Sequence, residues 1–252
     1  MEILILYLVI IAGLIFGSFL NVCIYRIPKK ETIIYGRSHC TACGKEIRSY
    51  DLIPILSYFV LRGRCRNCSI KISARYPFVE LLSAALYALI YLKFGLSLEF
   101  YLYAAFVSML IIAAFIDIDT LEIPNVVSIA ISVIGLLALI FSPELFWYEH
   151  IIGIFIASVP LLVASLVSKG GMGFGDIKLC AAAGFLIGFK LTLLSLLIAC
   201  IVGSVFGIIY AKLKNKSLKT SICFGPFLAG AFCFSILFGN KIISMYISLL
   251  IK

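Results

Sequence analysis

The sequence predicts an all-α polytopic membrane protein: about eight transmembrane helices with one small, cysteine-bearing loop domain. Three observations lead there. Of 252 residues, 63% are hydrophobic and 13% charged, with a mean hydropathy of +1.16. An ordinary soluble domain carries about 25% charged residues, so too little polar side chain exists here to coat a water-soluble globule. Apolar stretches recur at 3–22, 76–92, 100–116, 124–142, 151–168, 177–189, 191–211 and 220–239. Most approach the roughly 20 residues that span a bilayer. One substantial polar segment, 23–75, interrupts them. Secreted, cytosolic and disordered readings are excluded.

Three parts follow in order: a first transmembrane helix over 1–22, the polar loop over 23–75, and the remaining helices over 76–252. The first stretch lacks the pattern of a cleaved signal, which wants basic residues before its apolar run. Here Glu2 precedes it and Arg26, Lys29 and Lys30 follow, as expected of a retained helix with its amino terminus outside. Stretch 177–189 is short enough to be a re-entrant or tilted helix, and the apolar tail 242–251 is too short to span. Trp147 and Tyr148, in a loop over 143–149, suit an interfacial anchor. Gly203-x-x-x-Gly207 matches a close helix-packing spacing.

Charge placement sets the orientation. Loop 23–75 holds eleven Lys/Arg, 169–178 holds two and 212–219 holds four, whereas the opposite face has only Lys93, Lys190, Lys241 and Lys252. Basic residues concentrate in cytoplasmic loops, which puts these three segments in the cytoplasm. The formal charge of +9 therefore points to anionic lipid headgroups and not to nucleic acid. The expected location is the cell's inner or plasma membrane.

Within the loop, Cys40-Thr41-Ala42-Cys43 and Cys65-Arg66-Asn67-Cys68 form two Cys-x-x-Cys knuckles with 21 residues between them. Four thiolates so arranged can surround one structural zinc ion tetrahedrally, making the loop zinc-ribbon-like. The competing reading is disulfides, which a reducing cytoplasm disfavours. With little core of its own, the loop would draw folding energy from the metal. His39 reads as a solvated neighbour. Cys23, Cys180, Cys200, Cys223 and Cys233 read as small hydrophobes in or beside helices.

Carboxylates near membrane segments are functional candidates because burying them is costly. Asp117 ends the third stretch, and Asp176 opens the sixth after Gly173-Phe174-Gly175. Two crossings lead from the loop to Asp117 and two more to Asp176, so parity puts all three on one membrane face. Asp176 also has a plain reading as a helix N-cap. Asp117 has a poorer one, since a negative charge at a helix C-terminus opposes the macrodipole. Helix ends of opposite polarity give the asymmetry that an acid/base pair sharing a proton requires. Asp119 and Glu122 read as solvated or capping residues, and Pro124 as a first-turn proline. Gly170, Gly171, Gly173 and Gly175 would let an extended peptide lie beside Asp176, or simply form an interhelical turn.

Taken together these segments resemble the type IV prepilin peptidases, membrane aspartyl proteases of the Gly-x-Gly-Asp class. The resemblance runs through Gly17-Ser18-Phe19-Leu20-Asn21-Val22, Arg26-Ile27-Pro28, Ile53-Pro54-Ile55-Leu56-Ser57-Tyr58, Leu61-Arg62-Gly63-Arg64-Cys65 and Ile72-Ser73-Ala74-Arg75-Tyr76-Pro77. It continues through Val79-Glu80, Ile123-Pro124-Asn125, Gly173-Phe174-Gly175-Asp176 and Phe224-Gly225-Pro226-Phe227. Asp117, seven residues before Pro124, and Asp176 match the family's catalytic aspartates. Asp119 does not fit that offset. The first knuckle lacks the proline that many members carry after the first cysteine. The resemblance implies cytoplasmic-side cleavage of the short basic leader of prepilins or pseudopilins after glycine. In bifunctional members, S-adenosylmethionine-dependent N-methylation of the new amino terminus follows, associated with the zinc-bearing loop. No Rossmann-type glycine fingerprint marks the donor site. The rival readings are an ion- or proton-coupled transporter using the same carboxylates and a membrane scaffold with a partner-binding zinc module.

Overall fold

A computed structural model describes residues 2–142, 145–167, 173–214 and 223–250, and every helix or strand-like pairing below refers to these. The main helices are α1 (Glu2–Arg26), the short α2 (Leu56–Val60), α3 (Arg75–Phe94), α4 (Leu98–Thr120), α5 (Asn125–Phe141), α6 (Trp147–Val167), α7 (Phe174–Leu213) and α8 (Gly225–Leu250). A 3-10 turn covers Ser49–Leu52. Six helices are long and apolar enough to cross a membrane, and α5, with 17 residues, is shorter. The all-helical expectation holds. Gly170, Gly171, Lys169 and most of the basic segment 212–219 lie outside the described residues.

Two compact units divide the chain, Met1–Ile112 and Ala113–Lys252. In the first, α1 packs on α3 through a small-residue seam. A Cβ on Gly13 would sit 2.6 Å from Ala84 Cα, and one on Gly17 would sit 2.7 Å from Glu80 Cα. Gly13-x-x-x-Gly17 is thus the close-packing pair that the sequence reading placed at Gly203 and Gly207; Gly203 meets only ordinary contacts with Phe224 and Phe227. Helix α1 runs on to Arg26 because its last turn is anchored. The Asn21 side-chain amide donates to the Tyr76 carbonyl (3.1 Å). The buried Arg26 guanidinium donates to the carbonyls of Thr32, Tyr35, Gly36 and Arg37, folding that strap back onto the helix end.

In the second unit α7 packs against α5, α6 and α8. Its 40 residues would extend about 60 Å, twice the hydrocarbon core of a bilayer. Gly188, at φ 77° and ψ 171°, breaks the run. The expected short helix 177–189 and its successor 191–211 are therefore two parts of one element joined at a glycine. The break frees backbone acceptors, and α6 answers: buried His150 donates from Nδ1 to the Phe185 carbonyl (2.6 Å). Lys190, just past the break, pairs with Glu149 (2.9 Å). Two further expectations are corrected. Trp147 and Tyr148 open α6 instead of lying in a loop, and 242–250 continues α8 instead of forming a separate tail.

Helices α6 and α7 meet at Gly153 and Gly184. A Cβ on either would fall 2.0–2.1 Å from the other's carbonyl oxygen. Alanine gains about 1 kcal/mol over glycine in a helix interior, but overpacking against rigid backbone costs about 3 kcal/mol. Gly153→Ala and Gly184→Ala should therefore each lower the thermal unfolding midpoint in detergent. Gly230→Ala, with nothing within 4 Å of the added carbon, should not lower it.

Candidate active site and metal centre

Asp117 lies in the last turn of α4. That helix closes at Leu121, which takes the left-handed φ of 57° and donates its N–H to the Asp117 carbonyl (2.8 Å). The carboxylate itself is 5% exposed, at a helix end whose dipole disfavours it. Its compensation comes from 108 residues downstream: the Gly225 N–H donates to Asp117 Oδ2 at 2.8 Å. Gly225 is the first residue of α8, where backbone N–H groups lack intrahelical partners and the dipole is positive. A Cβ there would stand 2.8 Å from Oδ2 and 3.1 Å from the Asp117 Cβ, so a larger residue would push the carboxylate aside.

Asp176 approaches from the start of α7. Gly173 is the N-cap, so Asp176 sits at the third helical position and its side chain makes no cap. The N-cap expectation for Asp176 is thus corrected. Asp176 is 8% exposed, and its Oδ1 is buried without a hydrogen-bond partner among the described residues. Gly175 has a packing reason: an added Cβ would lie 2.9 Å from Ile123 Cβ. The turn after Asp117 and the residue before Asp176 therefore touch. Lys178 Nζ donates to Asn125 Oδ1 (2.9 Å) and ties α7 to the start of α5 beside them. Asp117 is the neighbouring charge felt at Asp176. Cys223, just before α8, faces both; burial, then these two charges, push its thiol above the ordinary value.

Sequence reading selected both aspartates but gave Gly225, Ile123 and Lys178 no part in the site. A Gly-Pro pair opening an apolar helix was the available signal for Gly225. Asp119 and Glu122 are exposed, as expected, and Pro124 is the N-cap of α5, one residue before its first turn.

In the amino-terminal unit the two knuckles repeat one pattern. Cys40 N–H donates to Lys45 O and Gly44 N–H to Cys40 O; Cys65 N–H donates to Ile70 O and Ser69 N–H to Cys65 O, all at 2.9 Å. Gly44 and Ser69 take left-handed φ at equivalent places. The Sγ atoms of Cys40, Cys43, Cys65 and Cys68 lie within 4.8 Å of one another, and Cys40 and Cys68 are 3.8 Å apart. Zn–S bonds of 2.3 Å imply tetrahedral edges of about 3.8 Å, so the donor set fits a four-coordinate metal. All nine cysteines are free of disulfides. The N–H groups of Cys43 and Ala42 pull the Cys40 thiol down to about 6, while Cys68, despite the Ile70 N–H, is pushed up to about 11 by burial and its three neighbouring thiols, so the first thiolate forms at Cys40. His39 is exposed and stays outside the cluster.

Elemental analysis of the purified chain should find one metal ion per chain. Cys43→Ser with Cys68→Ser should remove it and expose the loop to proteolysis.

Residues 11–94 match the bacterial peptidase A24 N-terminal domain, and residues 104–208 match the type IV leader peptidase family. A prepilin leader peptidase/N-methyltransferase of Bacillus subtilis is 35% identical over 244 residues, covering 97% of this chain and 98% of that protein. One from Legionella pneumophila is 34% identical (96% and 94% covered). One from Pseudomonas aeruginosa is 32% identical (94% and 92%). No solved structure matches. With both family models met in order and relatives aligned along nearly its whole length, the chain belongs to the type IV prepilin leader peptidase/N-methyltransferase family, peptidase A24.

Proposed function

We propose that this protein cuts the short basic leader from prepilins or pseudopilins after glycine, with Asp117 and Asp176 as its catalytic pair. We propose further that it methylates the new amino terminus with S-adenosylmethionine as donor. The observation that carries the peptidase reading is the pairing of two buried carboxylates, one closing α4 and one opening α7, with a helix N-terminus aimed at the first.

A prepilin carries an apolar helix directly after its leader. Partitioned into the bilayer, that helix would hold the scissile bond near the membrane interface, and positioning converts an encounter into an effectively intramolecular step. One carboxylate takes a proton from water as its oxygen bonds to the peptide carbonyl carbon. The other, protonated, supports the carbonyl oxygen and delivers the proton that leaves with the amine as the C–N bond breaks. The pair shares one proton, so the roles belong to the pair and not to either residue. Asp176 Oδ1 has an unused hydrogen-bonding capacity among the described residues, and the Gly225 N–H fixes the Asp117 carboxylate.

Zinc is the ion that the four cysteines suit; bound there it would cross-link the two knuckles and take no part in hydrolysis. The excess of basic residues in 23–75 supports a cytoplasmic active face and an amino terminus outside, with anionic headgroups as partner. Exposed Leu56, Phe59 and Val60 of α2 add apolar side chains suited to that interface.

Incubation of the purified chain in lipid with a prepilin-like substrate, read by mass spectrometry, tests this. Asp117→Asn and Asp176→Asn should each abolish leader loss while leaving the metal content and unfolding midpoint near wild type; full activity in either would overturn the pair. Gly225→Ala should slow cleavage about 100-fold, the usual penalty for a catalytic group displaced by about 1 Å.

A further inference from the structure

The amino-terminal unit contains a cavity of about 700 Å³, within the range of small-molecule sites. It opens between the end of α1, the start of α3, α2 and the two knuckles, and both Cys40 and Cys65 stand in its wall. Every lining residue belongs to this unit.

Its charges are unevenly committed. The Arg26 guanidinium is taken up by four carbonyls. The Arg66 guanidinium grips both oxygens of Asp51, at 2.6 and 2.8 Å. The Lys29 ammonium lies 3.5 Å from the centre of the Tyr25 ring. Lys45, Arg48 and Lys71 also stand in the wall, exposed at its rim; among the buried charges Glu80 is the exception. It is 7% exposed, lines the cavity, and interacts with the Ile55 N–H (2.8 Å) and Ser18 but with no cation among the described residues. A buried carboxylate without a cationic partner is costly to retain.

The surroundings hold it in place. Ile55 has φ 62° and ψ −52°, a region that costs a β-branched residue about 1–3 kcal/mol unless neighbours impose it. Its N–H bond to Glu80 is one such constraint. Tyr58 and Tyr76 add aromatic rings to the same wall. A buried carboxylate and aromatic rings around a ligand-sized space are the chemistry that receives a compact organic cation.

We propose that this cavity is the methyl-donor site, with Glu80 facing the sulfonium of S-adenosylmethionine. This rests on the methyltransferase reading above and deepens it. In the transfer, the lone pair of the substrate amine forms the N–C bond as the C–S bond breaks. The C–S pair stays on sulfur, leaving the neutral thioether S-adenosylhomocysteine, and the nitrogen's proton passes to water. The charge that Glu80 attracts thus disappears with reaction, so the residue separates donor from product. The role of the metal follows as well: by joining the knuckles it shapes one wall, and chelation should weaken donor binding.

The test is calorimetry on the full chain in lipid with S-adenosylmethionine and S-adenosylhomocysteine, each against wild type and Glu80→Gln. Glutamine keeps an oxygen for the Ile55 N–H, and retention of one metal per chain reports that the loop is intact. The variant should bind the sulfonium compound about tenfold more weakly and the thioether nearly as wild type does. Photo-crosslinked donor should map to cavity residues. Equal weakening of both ligands, no weakening, or a crosslink elsewhere in a wild-type chain that methylates its substrate would overturn the assignment alone. A wild-type chain that binds neither compound and adds no methyl group would remove the methyltransferase reading along with it.

Discussion

The bond from the Gly225 N–H to the Asp117 carboxylate is the constraint around which the carboxyl-terminal unit is arranged. A carboxylate buried at the negative end of its own helix has two strikes against it: lost hydration and an opposing dipole. A second helix start pointed at it offsets both. That solution fixes where α8 begins, and a side chain at residue 225 would displace the carboxylate it holds. The same economy recurs at Gly175, where the start of α7 seats directly on Ile123. One helix N-terminus thus meets the last turn of α4 and another the turn that follows it, which brings the Asp117 charge to bear on Asp176. Ion transport would also use buried acids, but it gives no reason for this chain to align end to end with leader peptidases.

Two other buried polar residues in this unit have a structural use. Glu149 and His150, 5% and 1% exposed, would count as functional by default in a membrane protein. Here both serve the interruption at Gly188. His150 satisfies a carbonyl that the broken helix releases. Glu149 pairs with Lys190 beyond the break and also accepts from the Phe146 N–H (3.3 Å). The break is held by α6, through these polar contacts and through the Gly153–Gly184 crossing, and the Phe185 carbonyl finds a donor in an apolar setting where an unpaired one would be costly.

What could be read in advance follows the range of each interaction. Helix positions were legible because hydropathy is local, and the cysteine knuckles because their pattern repeats within a few residues. Asp117 and Asp176 stood out because charges are scarce in apolar sequence. The N-cap reading of Asp176 failed by a three-residue offset: capping depends on where backbone dihedrals turn helical, and Gly173 takes that position instead. Gly225 carried no residue-level clue to its partner 108 positions away. The break at Gly188 was hidden because a gap between apolar stretches looks the same whether the chain leaves the membrane or bends within it.

The loop's basic charge is partly a folding device. Arg26 is spent on main-chain carbonyls, Arg66 on Asp51 and Arg37 on Glu46. Arg66 holds the Asp51 carboxyl below its usual range and links the Ser49–Leu52 turn to the second knuckle. Because the Arg37–Glu46 pair is exposed on both sides, it adds little stability; Arg26, buried and multiply bonded, contributes more. A segment with few buried apolar side chains thus relies on guanidinium bonds and a metal cross-link for its shape. Those same bonds use up positive charge that would otherwise face the cavity. Lys45 and Lys71 stay exposed in the wall, whereas Glu80 is the buried carboxylate there with no cationic partner among the described residues, and that imbalance is why the cavity reads as a binding site instead of a packing defect.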